Sequence, residues 1–132
     1  VAAPVGLLVP AIHDADKLTI TRLALAVDSI SEKARQGNLS LEDVQGGTFT
    51  VNNTGVLGSV VSRALVNYPQ AAILTTEAIV KRPVVIDDEI AIRSIMNVGL
   101  TFDHRIVDGA EAGAFTGSVK RHMEAMDSNT RV

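Results

Sequence analysis

Between Thr19 and Gly37 runs the stretch ITRLALAVDSISEKARQ, and it constrains the fold more than any other feature of the sequence. Leu23, Val27, Ile30 and Ala34 recur at helical spacing on one face. Thr19 is suited to cap the start of a helix over about 20–36, and Gly37 to stop it. After this helix come only short strand-like segments, until a second helical pattern opens at Asp108. Strands are expected at 48–52, 71–80 and 95–102, and "KRPVVIDDEIAIRS" is expected as a hairpin that turns at Asp87 and Asp88. "SLEDVQ" begins with Ser40 and carries Asp43 three residues later, the pattern of one capped helical turn. Ahead of the first helix, "LLVPAI" (7–12) is expected as a short buried strand, confined by Pro10 to an edge or ended there. The last helix is expected from Asp108 to about Met126. Its buried face would be Ala112, Phe115, Val119 and Met123, and the tail "DSNTRV" is expected to fray. Strand, helix, several strands, helix is an α/β order, with a sheet covered by helices.

The chain is 132 residues long, enough for one domain with a core. With one Tyr, three Phe and no Trp, that core must be aliphatic. The same scarcity argues against a base-stacking platform, and a net charge of −3 without a basic block leaves no electrostatic footprint for nucleic acid. There is no cysteine, which excludes disulfides, Cys-ligated zinc and a cysteine nucleophile within these residues. No segment reads as a signal peptide, and no apolar run approaches the ~20 residues of a membrane helix. The sequence opens on Val1 inside the apolar stretch "VAAPVGLLVPAI", so further residues are expected to precede it.

Three places invite a chemical reading. The histidines, His13, His104 and His122, are far apart and show no metal-ligand spacing, so no metal site is expected. "GGTFTVNNTGVLG" matches neither GxGxxG nor GxxxxGK[ST]. In one reading it is a tight loop whose glycines let backbones approach. In the other it is a polar strand end that offers Thr50, Asn52, Asn53 and Thr54 as donors to an oxyanion, a service worth about 3 kcal/mol. The third place is "TFDHRIVDG". Glu111 follows Asp108 by three residues, so Asp108 reads first as the N-cap of the last helix. Asp103 and Arg105 form a ready ion pair. His104 is by spacing an unremarkable turn residue, yet it stands at a strand end where sheet folds expose side chains to ligands. An imidazole with a pKa near ~6.5 suits proton transfer at neutral pH, and a thiol substrate would benefit from such a base.

With these residues in view, the sequence resembles the catalytic domains of the dihydrolipoamide acyltransferases, which share the His-x-x-x-Asp-Gly signature with chloramphenicol acetyltransferase. "FDHRIVDG" carries the signature. "GLLVPAIHDAD" (6–16), "GNLSLEDVQGGTFTVNNTG" (37–55), "NYPQAAIL" (67–74), "KRPVV" (81–85) and "RSIMNVGLTFDHRIVDGAEAGAF" (93–115) agree with the family in the same order. The wording "TVNNTG" and "NYPQAAI…IVKRPVV" is most similar to branched-chain members.

The resemblance implies a chloramphenicol acetyltransferase-like, coenzyme A-dependent acyltransferase fold: a two-layer mixed β-sheet with flanking helices, here in part. Residues 1–132 would be the C-terminal part of the catalytic domain, with no lipoyl or peripheral-subunit-binding domain among them. The implied reaction moves an acyl group between dihydrolipoamide, carried on a separate lipoyl domain, and coenzyme A. His104 matches the family's base, and Asp108 its Asp, read as an organiser of the histidine loop. Asn52 stands where many members have a serine, with Thr50, Asn53, Thr54 and Gly55 as its substrate-binding neighbours. Implied partners are two further copies in a homotrimer whose active sites lie between subunits. Trimers would assemble into a cubic or icosahedral core that meets 2-oxo acid decarboxylase and dihydrolipoamide dehydrogenase components. Neither nucleic acid nor a membrane is implied as a partner. The implied location is the bacterial cytoplasm, or the mitochondrial matrix in a eukaryote. A core scaffold without chemistry is the alternative. A stand-alone acetyltransferase with a hydroxyl acceptor fits less well, because the "GGTFTVNNTG" and "KRPVV" blocks resemble the lipoamide enzymes.

Overall fold

A computed structural model describes residues 1–127. They form two compact units, Val1–Gly47 and Thr48–Met126. What was expected of the tail past Asp127 lies outside the described residues.

The first unit is built on helix α1 (Ile20–Gln36). Thr19 caps it as the sequence predicts, its hydroxyl accepting the Arg22 amide. Gly37 closes it at φ 73°, and the Asn38 amide reaches back to the Lys33 carbonyl at 2.9 Å, a Schellman ending. Of the predicted apolar face, Ala34 is buried, Leu23 and Ile30 are half-buried, and Val27 is exposed. The predicted strand over 7–12 does not form. Two two-residue strands, β1 (Ala2–Ala3) and β2 (Gly6–Leu7), pair instead. Beyond them Pro10 has no N–H to give to a ladder, and the Ala11 amide goes to the Asp43 carbonyl at 2.7 Å. The capped turn at Ser40 is present: the Ser40 amide donates to the Asp43 carboxylate, and the Asp43 amide to the Ser40 hydroxyl. These bonds, with Lys33 beside them, hold the Asp43 carboxyl below its usual range.

The second unit holds a three-stranded mixed sheet. Its strands are β3 (Thr50–Asn53), β4 (Ala72–Thr76) and β7 (Val98–Phe102), in the order β3-β4-β7. β3 runs parallel to β4, and β4 antiparallel to β7. β4 is flanked on both edges, and its apolar, β-branched run is buried from Ala72 to Thr75. The hairpin β5 (Val80–Ile86) and β6 (Glu89–Ile95) is a separate two-stranded ribbon. Its turn is the predicted pair, Asp87 and Asp88, at φ 50° and 62°, the left-handed conformations a type I′ turn demands. Three strand boundaries differ from expectation. The run 71–80 breaks at 77–79 and the run 95–102 at 96–97, although the Glu77 amide still reaches the Asn97 carbonyl at 3.1 Å in the register of β4 and β7. The strand expected at 48–52 begins and ends later: Asn52 is a ladder residue as expected, and Asn53 joins the ladder instead of the loop.

Helix α2 (Gly109–Glu124) packs on β7, and Phe115 meets Phe49 with ring centroids 5.7 Å apart. Ala112 is buried and Val119 half-buried, but Phe115 and Met123 are each 42% exposed, against expectation. For Met123 the reason is length: sixteen helical residues span roughly 24 Å, whereas five strand residues span about 17 Å, so the sheet does not reach the last turn.

Candidate active site

The last strand, β7, delivers the Asp-His-Arg turn. The Asp103 carbonyl accepts the Ile106 and Val107 amides, which turns the backbone tightly after the strand. The Arg105 guanidinium grips the Asp103 carboxylate, Nε at 2.9 and 3.1 Å and Nη2 at 2.5 Å. That grip, with the Arg105 amide, brings the Asp103 carboxyl down to about 2. His104 between them is exposed, with its ring against Phe102 (centroids 5.5 Å, planes 44° apart). Among the described residues it makes no hydrogen bond. Asp108 makes no hydrogen bond to it among the described residues. Asp108 Oδ1 accepts the Ala110 and Glu111 amides at 2.8 and 2.9 Å, and the Glu111 carboxylate accepts the Asp108 amide at 3.1 Å. The capping reading of Asp108 is therefore the geometry found. Asp108 fixes where the histidine turn ends and, among the described residues, makes no hydrogen bond to the imidazole.

The polar end of β3 is more committed than its sequence suggests. Thr50 donates its hydroxyl to Gln70 Oε1. Asn53 Oδ1 accepts the Gly55 amide at 3.0 Å. Thr54 gives its hydroxyl to Glu77 Oε2 at 2.7 Å, so it is not the free donor expected. Gly55 lies flat against the Glu77–Ala78 peptide, where a Cβ would sit 2.5 Å from the Glu77 carbonyl carbon and oxygen. Its role is close backbone approach. Of this group, only the half-buried Asn52 makes no side-chain hydrogen bond among the described residues.

Glu77 was missed from the sequence. It is 5% exposed and accepts the Ser62 hydroxyl at 2.6 Å as well as that of Thr54. Those hydroxyls, Ser62 first, hold its carboxyl below the usual range against the opposing effect of burial. The signal was a single charge inside the apolar run "AAILTTEAIV".

Within one chain the sheet keeps Asn52 and His104 apart. Asn52 pairs with Thr75, which pairs with Gly99, whereas Asp103 reaches the far end of β4, donating its amide to Ala71. Four residue steps lead from Gly99 to Asp103, roughly 13 Å at ~3.3 Å each, so a base at His104 and a donor at Asn52 of one chain cannot serve one reacting atom.

Among the described residues there is no group of three or more His, Cys, Asp or Glu that could hold a metal, and no helix is long and apolar enough to cross a membrane.

Comparison with known proteins places these features. Residues 1–130 match the family model described as 2-oxoacid dehydrogenases acyltransferase (catalytic domain). The chain is 50% identical over 133 aligned positions to the lipoamide acyltransferase component of the branched-chain alpha-keto acid dehydrogenase complex of Bacillus subtilis, covering 100% of this chain and 31% of that protein. In structure it is similar to a probable dihydrolipoamide acetyltransferase from Listeria monocytogenes, with a TM-score of 0.90 and 48% identity over 93% of this chain and 53% of the other. It is equally similar, at a TM-score of 0.90 with 33% identity over 95% and 51%, to the dihydrolipoamide acetyltransferase of Azotobacter vinelandii, studied for the role of a serine, a histidine and an asparagine in its catalytic mechanism. That serine precedes the histidine by 52 positions and the asparagine follows it by 4. Asn52 and Asp108 stand at the same intervals from His104. The chain thus spans about a third of the curated relative and about half of each solved structure.

Proposed function

Since the chain belongs to the acyltransferase catalytic-domain family of the 2-oxoacid dehydrogenases, matched over residues 1–130, we propose that its protein transfers an acyl group between dihydrolipoamide and coenzyme A. The observation that carries the reading is the pair of intervals: a histidine, with polar partners 52 positions before and four after, as in the Azotobacter vinelandii enzyme.

The chemistry follows from the side chains. A thiol near pKa ~8.5 is mostly protonated at neutral pH. His104 accepts its proton as sulfur attacks the thioester carbonyl, and the carbonyl electrons move onto oxygen. The Asn52 amide donates to that oxyanion. Collapse expels the second thiolate, to which the imidazolium returns the proton. General-base help of this kind is worth about 10²–10⁴-fold, and one oxyanion donor about 10²–10³-fold in kcat. Asp108 acts as the helix cap that ends the histidine turn. Asp and Asn are both preferred caps, which accounts for an asparagine at the same interval in the relative.

The separation of Asn52 from His104 supports a site shared between subunits, with the imidazole of one copy facing the amide of another. A homotrimer is the smallest ring that closes such a head-to-tail arrangement beyond two copies. We extend the reading to a multienzyme core built from such trimers and serving decarboxylase and dihydrolipoamide dehydrogenase components, with the lipoyl group on its own domain. The Bacillus subtilis relative, a branched-chain complex component, supports a branched-chain acyl group and a cytoplasmic setting, or the mitochondrial matrix in a eukaryote.

Thioester exchange between acyl-coenzyme A and dihydrolipoamide tests this on the full-length protein. His104→Ala is expected to lower kcat by at least about 10²-fold with assembly intact. Mixed assemblies of His104→Ala and Asn52→Ala chains should regain part of the rate, because some interfaces then pair two intact residues. Parental turnover in His104→Ala removes the mechanism. No exchange in the assembled parent favours the scaffold alternative.

A further inference from the structure

Glu77 is a carboxylate in an unusual position. It directly follows β4, is almost fully buried, and takes part in none of the ion pairs among the described residues. Burying a charge without a counter-ion is costly unless hydrogen bonds replace its water. Here hydroxyls do so. Ser62 Oγ donates to Oε1 at 2.6 Å and Thr54 Oγ1 to Oε2 at 2.7 Å. Both belong to the loop that leaves β3 after Asn53, one from its first residue and the other from its far side.

Backbone bonds draw the same loop to the same place. The Thr54 amide donates to the Thr76 carbonyl at 3.1 Å, and the Ala78 amide to the Ser59 carbonyl at 2.7 Å. The Asn97 side-chain amide holds the Val60 carbonyl at 2.7 Å, and Gly55 lies on the Glu77 peptide. The Thr76 hydroxyl reaches the Asn52 carbonyl itself, at 3.4 Å. Glu77 therefore lies at the centre of a clasp that begins two residues after Asn52. An apolar side chain of similar volume would fill the space without needing the hydroxyls, as buried ionic groups are often replaceable by apolar ones. A carboxylate instead fixes direction, because each oxygen selects one hydroxyl.

We infer that Glu77 is a positioning residue for acyl transfer: by holding Thr54 and Ser62 together it locks the 54–62 loop onto the end of β4 and so sets where Asn52 presents its amide. The inference rests on the proposed oxyanion role of Asn52. Positioning matters at this scale, since a shift of about 1 Å can cost about 10²-fold.

The test uses the full-length acyltransferase in its assembled state, with acyl-coenzyme A and dihydrolipoamide as substrates. Glu77→Ala is expected to lower kcat at least about tenfold with KM for coenzyme A unchanged, because an oxyanion donor acts in the transition state and not on bound substrate. Glu77→Gln keeps the shape and one acceptor oxygen, and should restore most of the rate. In an Asn52→Ala background, Glu77→Ala should cost nothing further, since residues acting as one unit are not additive. Ser62→Ala serves should Glu77→Ala fail to fold: its expected loss is about threefold, again absent in the Asn52→Ala background. Parental kcat in Glu77→Ala or Ser62→Ala overturns the inference, as does a loss that adds to that of Asn52→Ala. A slow Asn52→Ala beside a fast Glu77→Ala sinks the positioning role alone. Parental turnover in Asn52→Ala sinks the oxyanion reading and the Glu77 inference with it.

Discussion

Asp108 and Glu111 each accept the other's backbone amide, at 2.9 and 3.1 Å, so the first turn of α2 is closed from both sides. The histidine turn ends where this box begins. Between the last residue of β7 and the cap there are only five residues, and two of them form the Asp103–Arg105 ion pair. His104 is therefore presented by a short bridge between two anchored ends, its ring against Phe102 and without a hydrogen bond among the described residues.

Removing the cap should show as stability. Asp108→Ala is expected to cost about 1 kcal/mol, and Asp108→Asn much less, since an amide oxygen also accepts the N–H groups. Urea midpoints of the three proteins check this. Full kcat in Asp108→Asn would confine the residue's part in catalysis to capping.

The Asp103–Arg105 pair has an acid signature. The folded Asp103 carboxyl titrates at about 2, below its ordinary 3.8, so between these values the folded chain binds fewer protons than the unfolded one. The stability it contributes is complete above about pH 4 and is lost as pH falls towards about 2. Denaturation midpoints across that window should depend less on pH in Asp103→Asn. An unchanged slope would mean that the pair does not persist in solution.

Gly55 admits no side chain. A Cβ there would meet backbone atoms at 2.5 Å, and backbone cannot swing aside as a side chain can. Gly55→Ala is expected to cost about 2 kcal/mol or more, in the range of overpacked cores. A variant that melts with the parent would show that the loop relaxes away from Glu77.

The hairpin turn offers the opposite case. Asp87 and Asp88 both adopt left-handed backbone, which suits Asn-Gly better than Asp-Asp. Replacing them by Asn and Gly together is expected to raise stability by about 1 kcal/mol, the usual relief of one left-handed non-glycine residue. Thermal midpoints would record it.

What could be read from the sequence was local. Thr19, Gly37, Ser40 with Asp43, Asp87 with Asp88, and Asp108 with Glu111 each act on neighbours within a few residues, and each was found in its expected role. The family resemblance offered His104 and Asn52 by position, as candidates for the site. What escaped was non-local. The run 71–80 carries one charge, Glu77, but nothing within it announces that its carboxylate meets the hydroxyls of Thr54 and Ser62. Thr54 looked free because its partner lies 23 residues away. The distance between Asn52 and His104 depends on register across three strands, and no segment states its own register.

The placement of β4 sets an order of events. Its amides and carbonyls are shared between a parallel partner on one side and an antiparallel one on the other, beneath the most buried side chains of the unit. The ribbon β5–β6 has no third strand among the described residues and carries Ile90 and Ile92 in the open. In deuterated solvent the ribbon would exchange early by fraying, while Ile73 and Leu74 would each hold its proton until the ladder its amide donates to had opened.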